Sequence, residues 1–528
     1  MILDKDLLSI QQARELAAKA KSAQQEFQHF SQEQVDKIVK AMADAGYAAS
    51  ERLAKSACDE SGFGKYEDKI IKNRFATKNV YESIKDLKTV GIVGEEANGK
   101  VLKIAVPMGV ICALIPSTNP TSTAMFKALI SVKSRNGIVA SPHPRTAKCT
   151  AESLRFLSEA ATKAGAPDGL IQCMTETTIE GTEALMHDKN IALILATGSN
   201  PMVKAAYSSG KPAYGVGSGN VPAFIERSAN YQKAVADIIY GTTFDNGTLC
   251  SSEQAMIVDL PLKEKVIDEA KLQGCYFVTA EEKEKLAKAV QSNLRINPEI
   301  VGKPAKFIAD YAGFDVPDNT KVLMAVCYDV GRKEPLSMEK LSPVLAFYVV
   351  DGWLEGCHRC IDLLNFGGIG HTMVIHSNDQ PIIMKFALEK PAFRILVNTV
   401  ASVGAVGYTT ALDPSMTLGP GTWGGSIISD NVTAKHLLNI KSLAFETNPV
   451  NEGKCVDKFD VQRYRGKKDW FINEIEERLR ERAGNPPLKD LYHYSKEVDV
   501  KEIKPKKEVK LGSGISEDEV RKIIDEFK

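Results

Sequence analysis

The sequence predicts an α/β protein built from two α/β domains. Apolar, β-branched runs alternate with stretches of helical periodicity from Val101 onward. A second alternating set runs from Gln254 to Thr399. The 528 residues also exceed what one hydrophobic core ordinarily serves. Strands that alternate with helices pair mostly in parallel.

Residues 9 to 90 are rich in Ala, Lys, Glu and Gln, with apolar positions at helical spacing, and predict several amphipathic helices. The run from Ile104 to Ile115 is apolar and halted by Pro116, which predicts one buried strand. Gly137 to Ala140 and Ile191 to Ala196 predict further strands. Ala147 to Ala164 and Thr182 to His187 predict helices between them. Residues 456–495 form a C-terminal extension, and the charged stretch 496–513 reads as a linker. In 514–528, Ser516 and Glu519 form a capping box, and Val520, Ile523, Ile524 and Phe527 share one face. Such a short helix is marginal alone and gains stability by docking.

Composition excludes several classes. Lys plus Arg and Asp plus Glu both total 67, so no global basic field favours nucleic acid or an anionic membrane. No window approaches the roughly 20 apolar residues of a membrane span. Asp4, Lys5 and Asp6 interrupt the first apolar residues, so no signal peptide is expected. The ten cysteines are scattered and do not form a disulfide framework, which fits a reducing cytoplasm. Cys357 and Cys360 have CxxC spacing without a second such pair; they read as structural thiols on a helix, and no metal is implied.

The segment Phe244-Asp-Asn-Gly-Thr-Leu-Cys250 places a thiol after a Gly-bearing turn. A thiolate is a nucleophile whose pKa helix dipoles and cations can lower. Spacing alone leaves a buried structural thiol open. Together with Ser251-Ser-Glu-Gln254, however, the segment resembles the nucleophile segment of the acylating, coenzyme A-dependent branch of the aldehyde dehydrogenase superfamily. Pro116-Ser-Thr-Asn-Pro120, Ala196-Thr-Gly-Ser199 and Met338-Glu-Lys-Leu-Ser-Pro343 are similar to superfamily segments. Gly367-Gly-Ile-Gly-His-Thr372, Gly421-Thr-Trp-Gly-Gly425 and Lys435-His-Leu-Leu-Asn-Ile-Lys441 resemble segments of the acylating branch. The resemblance spans residues 5 to 450.

The resemblance implies an NAD-binding domain with N-terminal helices at 1–240, a catalytic thiol domain at 241–420 and a return and oligomerisation segment at 421–455. Cys250 is implied as the nucleophile. The Asn119 amide and the Cys250 N–H would hold the oxyanion. His371 would either assist proton movement or be a hydrogen-bonded structural residue. The implied cofactor residues are Thr118, Pro142, His143, Thr197, Gly198, Ser199, Gly217, Glu339 and Pro343. Gly198 and Ser199 would open a helix N-terminus onto the pyrophosphate, and Glu339 would accept hydrogen bonds from the nicotinamide ribose.

Two departures from the hydrolytic branch matter. Ser141 stands where those relatives carry a ribose-binding Lys, which leaves NAD versus NADP open. Gly215-Val-Gly-Ser-Gly-Asn220 replaces their Glu-Leu-Gly-Gly, with Val216 near the water-activating Glu. The lost base fits transfer to coenzyme A, and the resemblance implies NAD-linked oxidation of acetaldehyde or propionaldehyde with coenzyme A as cosubstrate. A charged aldehyde, such as succinic semialdehyde or sulfoacetaldehyde, is the alternative. An inactive cargo or scaffold homologue is another, against which intact Asn119, Cys250 and Glu339 argue. A homo-oligomer, dimer or tetramer, is implied. The 514–528 helix resembles encapsulation peptides, which implies shell proteins as partners and a bacterial microcompartment in the cytoplasm. The alternative is a tail helix packed on the enzyme's own oligomer.

Overall fold

Helices Lys5–Phe27, Gln32–Ala48, Ser50–Ser61, Tyr66–Arg74 and Val80–Ile84 occupy the N-terminal region in the computed structural model, which describes residues 4–292, 295–448 and 450. Asp4 caps the first helix through the N–H groups of Asp6 and Leu7, and Ser31 with Gln34 closes a capping box on the second. Ala13, Ala17 and Ala20 lie on one buried face of helix Lys5–Phe27. That helix packs on helix Ile179–His187 and strand Gly137–Pro142. Close approach requires small residues: a Cβ on Gly181 would lie 1.8 Å from Ser9 Oγ.

A five-stranded parallel sheet has the order Ile171–Cys173, Gly137–Pro142, Val110–Ile115, Ile191–Thr197, Ala213–Val216. The first strand in sequence, Val110–Ile115, lies at the centre, so the crossover direction reverses beside it. Open α/β sheets bind ligands at that reversal, outside the carboxyl ends of the strands. Helix Pro120–Lys133, buried along its whole length, follows the central strand. Its Lys127 ammonium donates to the Leu114 and Leu195 carbonyls at 2.8 Å each, tying the two central strands together. Burial pushes Lys127 down to about 7.

A second, seven-stranded parallel sheet has the order Cys275–Phe277, Val322–Val326, Val344–Val350, Glu253–Asp259, Val221–Ile225, Gly370–His376, Ala392–Val397. Strand Val221–Ile225 lies ahead of the boundary expected at 240 and still pairs in this sheet. Cys357 and Cys360 are both buried on helix Gly352–Phe366.

The single strand expected from Ile104 to Ile115 is two strands in two sheets. Val101–Pro107 pairs antiparallel with Gly91–Glu96 and Leu438–Ala444, whereas Val110–Ile115 is central in the five-stranded sheet. The break at Met108-Gly109 uses a left-handed Gly109, φ +136°. An apolar run conceals the break because both strands carry apolar residues. The helix expected at Thr182 begins earlier, at Ile179, capped by Thr178. The expected extension at 456–495, linker at 496–513 and helix at 514–528 lie outside the described residues, as do 451–455 of the return segment.

Candidate active site

A cavity of about 550 Å³ opens at the carboxyl ends of the five-stranded sheet. Its walls include Thr118 and Asn119 after the central strand, Pro142 and His143 at the end of the next, and Thr197, Gly198 and Ser199 after the third. Gly217, Cys250 and Glu339 complete it from the other side. The structure thus brings ten of the twelve expected residues onto one cavity. His371 and Pro343 do not line it. Pro343 is buried and spends its carbonyl on Leu323 N–H at 3.0 Å, so it sets the start of strand Val344–Val350.

The thiol is presented by an unusual turn. Asp245 and Asn246 both take left-handed backbone, φ 49° and 52°, followed by Gly247 at 74°. Asp and Asn tolerate that region better than most residues. A Cβ on Gly247 would lie 2.9 Å from Ser342 N, so the turn sits hard against the segment after Glu339. Cys250 is half-buried. Burial pushes its thiol up to about 12; the Glu339 charge pushes the same way, and the Arg394 guanidinium opposes both.

Asn119 stands at the N-cap of helix Pro120–Lys133, yet its side chain makes no cap bond. Its Nδ2 donates to the Thr248 carbonyl at 3.2 Å and to Thr118 Oγ1 at 3.1 Å, while its Oδ1 accepts from Lys72 Nζ at 2.5 Å. Lys72 also donates to Asp245, and so does Lys69, at 2.9 Å. These three charged groups are buried, and pattern reading missed all of them. The available signal was Lys69 and Lys72 one helical turn apart on Tyr66–Arg74.

The opposite wall is made by the Gly215–Asn220 loop. Glu339 Oε1 accepts from Gly219 N–H at 2.9 Å, and burial pushes the carboxyl up to about 7. His371 packs behind that loop: a Cβ on Gly219 would lie 2.1 Å from the Cys250 carbonyl and 3.3 Å from His371 Cγ. His371 Nδ1 meets Thr372 Oγ1 at 3.0 Å, its Nε2 is buried without a hydrogen-bond partner, and burial lowers it to about 3. Val216 is buried in the core and does not face the cavity; Gly217 and Ser218 do.

The Ser199 side of the cavity has features that would suit a dinucleotide. Ser199 opens helix Asn200–Ser208 without a side-chain cap bond, which leaves backbone N–H groups and the positive end of the helix for an anion. Ser141 Oγ is 2.8 Å from Thr182 Oγ1, and His143 Nδ1 accepts from Arg145 N–H at 3.1 Å. Gly217 approaches the same helix so closely that a Cβ would lie 2.1 Å from Asn200 Oδ1. Gly217→Ala should displace Asn200, which holds Ser218 N–H at 3.1 Å, and raise the cofactor KM about tenfold. Titration of cofactor binding to the variant checks this; unchanged affinity would show that the loop does not shape the nucleotide site.

Comparison with known proteins agrees with the geometry. Over 434 residues the chain is 45% identical to the bifunctional aldehyde-alcohol dehydrogenase of Escherichia coli (strain K12), covering 81% of this chain and 49% of that protein. The chain thus spans about half the length of the aldehyde-alcohol dehydrogenases it matches. An acetylating aldehyde dehydrogenase structure from Geobacillus thermoglucosidasius is 51% identical, with TM-score 0.84, over 85% of this chain and 100% of that one. A Rhodopseudomonas palustris propionaldehyde dehydrogenase structure with bound propionyl-CoA is 27% identical, with TM-score 0.75, over 82% of this chain and 94% of that one. The sequence pattern of the aldehyde dehydrogenase family matches residues 5–284. With a reversed parallel sheet, a thiol on a left-handed turn and that match across more than half its length, the chain belongs to the aldehyde dehydrogenase family.

Proposed function

We propose that this chain oxidises a short neutral aldehyde, acetaldehyde or propionaldehyde, with NAD and transfers the acyl group reversibly from Cys250 to coenzyme A. The observation that carries the reading is the make-up of the cavity wall. Glu339 is the one carboxylate among the described residues lining it, and Gly219 N–H already occupies its Oε1. Beyond Glu339, held on the Gly219 side and assigned here to the cofactor ribose, a thioester facing that wall meets no carboxylate among the described residues to deprotonate water. A thiol cosubstrate holds a few per cent of thiolate at neutral pH and needs less help. Support also comes from the Rhodopseudomonas palustris relative, whose structure holds propionyl-CoA.

The steps follow from the residues. The Cys250 thiol loses its proton to solvent, Sγ adds as the thiolate to the aldehyde carbon, and the opened carbonyl bond leaves its electron pair on the oxygen as an oxyanion. Asn119 Nδ2 and the Cys250 N–H are the donors proposed to face it; one such donor is worth about 3 kcal/mol. The nicotinamide cofactor, when bound, accepts the hydride. Thr197, Gly198 and Ser199 would hold its pyrophosphate, Thr118, Pro142, His143 and Gly217 would flank the nucleotide, and Glu339 would accept from the ribose with its second carboxylate oxygen while Gly219 N–H stays on Oε1. Collapse of the oxyanion leaves a thioester on Cys250. The thiolate of coenzyme A then adds to the acyl carbon, and Cys250 Sγ leaves. His371 supports the wall behind Gly219, and Pro343 anchors the strand that follows Glu339.

The neutral substrate is favoured by a mainly apolar lining that includes Leu249, Val301, Leu341, Val406, Met416 and Leu418. The lining cation, Arg145, lies on the nucleotide side after strand Gly137–Pro142, beside His143, whose imidazole is held toward the neutral form by burial. A homo-oligomer is supported by strand Leu438–Ala444, an edge strand that exposes Ile440 and Leu443. Shell proteins as partners, and a place inside a microcompartment, rest on the amphipathic pattern of 514–528.

A panel of C2 to C4 aldehydes, neutral and anionic, tests the reading with NAD or NADP and coenzyme A. Acyl-CoA should form from the neutral members with kcat/KM at least about tenfold above the anionic ones, a pocket-sized discrimination. Preference for an anionic member would overturn the substrate assignment, and free acid as the main product would overturn acyl transfer.

A further inference from the structure

We propose that Lys72 is a positioning residue for the reaction: it fixes the amide of Asn119 with nitrogen turned toward the Thr248–Cys250 turn. This rests on the reading of Asn119 as an oxyanion donor. The two ends of an Asn side chain are alike in shape and opposite in chemistry. An ammonium only donates, so the atom it faces must be the oxygen. Lys72 Nζ lies 2.5 Å from Asn119 Oδ1, which leaves both N–H bonds of Nδ2 for the side that carries Thr248 and Cys250. Those N–H bonds now rest on acceptors at 3.1 and 3.2 Å, contacts that a developing oxyanion can outcompete.

An asparagine at a helix N-cap would ordinarily fold its side chain back onto the backbone. At Asn119 that bond is missing, and Lys72 takes the oxygen instead. Lys72 is in turn held by Asp245, and Asp245 belongs to the turn that presents the thiol. Asp245 accepts from Thr248 Oγ1 at 2.6 Å and from Lys65 N–H at 2.7 Å. One buried cluster therefore ties the oxyanion donor to the nucleophile turn. Thr121 Oγ1 donates to Asn73 Oδ1 at 2.8 Å, which locks the Lys72 helix to the helix that starts after Asn119. A π-helical turn, Phe75–Asn79, follows directly; such turns are rare and frequent near functional sites.

The cluster also makes the test clean. Lys69 pairs with Asp245 at 2.9 Å, so removing Lys72 leaves the buried carboxylate with one cation rather than none. Lys69 donates to the Thr118 carbonyl at 3.5 Å and not to the Asn119 amide, and Lys69→Met should cost less turnover than Lys72→Met. Lys72→Met should lower kcat about thirtyfold with the aldehyde KM within about threefold, the signature of an interaction made in the transition state. Asn119→Ala should lower kcat by about a hundredfold or more. The double variant should be no slower than Asn119→Ala by more than about twofold, because Lys72 acts through Asn119. Thermal melting monitors the fold. If Lys72→Met fails to fold, Lys72→Leu, which also lacks a donor, carries the same comparison. Full turnover in a folded Lys72 variant, or losses that multiply in the double variant, would overturn the inference. Full turnover in Asn119→Ala would instead sink the oxyanion reading on which it rests.

Discussion

Cys250→Ala should lower turnover at least about a thousandfold, because no covalent intermediate can form without the thiol. Cofactor affinity should stay within about twofold, since Thr197, Gly198, Ser199 and Gly217 are untouched. The expectation rests on position and not on the motif alone. Among the described cysteines, Cys250 is the one that lines the cavity. Cys112, Cys149, Cys275, Cys327, Cys357 and Cys360 are buried elsewhere, and Cys58 and Cys173 are half-buried away from it. The substitution removes one sulfur from a half-buried site, so the fold should lose at most about 1 kcal/mol. Steady-state NADH formation, with cofactor binding followed by fluorescence, checks both halves. Retention of more than a few per cent of turnover would mean that another thiol carries the acyl group.

The elements legible in the sequence are those with local signals. The strands at Gly137 and Ile191 are short apolar runs bounded by turn residues, and parallel strands buried on both faces read that way. The N-terminal helices announce themselves through period and caps. The run from Ile104 to Ile115 failed because apolarity reports burial, not which sheet does the burying. Its punctuation was Pro107-Met-Gly109, where Gly109 alone allows φ +136°. Most of the cavity wall was legible through resemblance, because its residues sit at strand ends in recurring segments. His371 and Pro343 belong to such segments too, yet do not line the cavity. A segment match fixes the backbone path and leaves side-chain direction open.

The buried lysines were the least legible feature. Lys72 sits on a helix with Glu67, Asp68, Lys69 and Arg74, a composition that reads as a solvated face. Its burial comes from Asn119 and Asp245, which lie 47 and 173 residues away. No local window contains both a lysine and the carboxylate that makes its burial tolerable. Lys127 is concealed the same way, inside a helix buried along its whole length, with carbonyls as its partners.

Without coenzyme A, the enzyme should release about one equivalent of NADH per active site and then almost stop, with the acyl group held on Cys250. Hydrolysis of that thioester requires a base positioned against water. Val216 points into the core, Gly217 and Ser218 carry no carboxylate, and Glu339 is engaged by Gly219. His371 does not reach the cavity, and burial keeps its imidazole neutral and behind the Gly219 wall. General-base assistance is typically worth about a hundredfold or more, so the arrested rate should lie about that far below turnover with coenzyme A. Rapid mixing with NAD and propionaldehyde would resolve the burst. Mass spectrometry of the stalled protein should find the added acyl group on the peptide that contains Cys250, and coenzyme A should discharge it as acyl-CoA. Free acid appearing at a rate near that of the complete reaction would show that water reaches an activating base in this cavity, and acyl transfer would then be a side path.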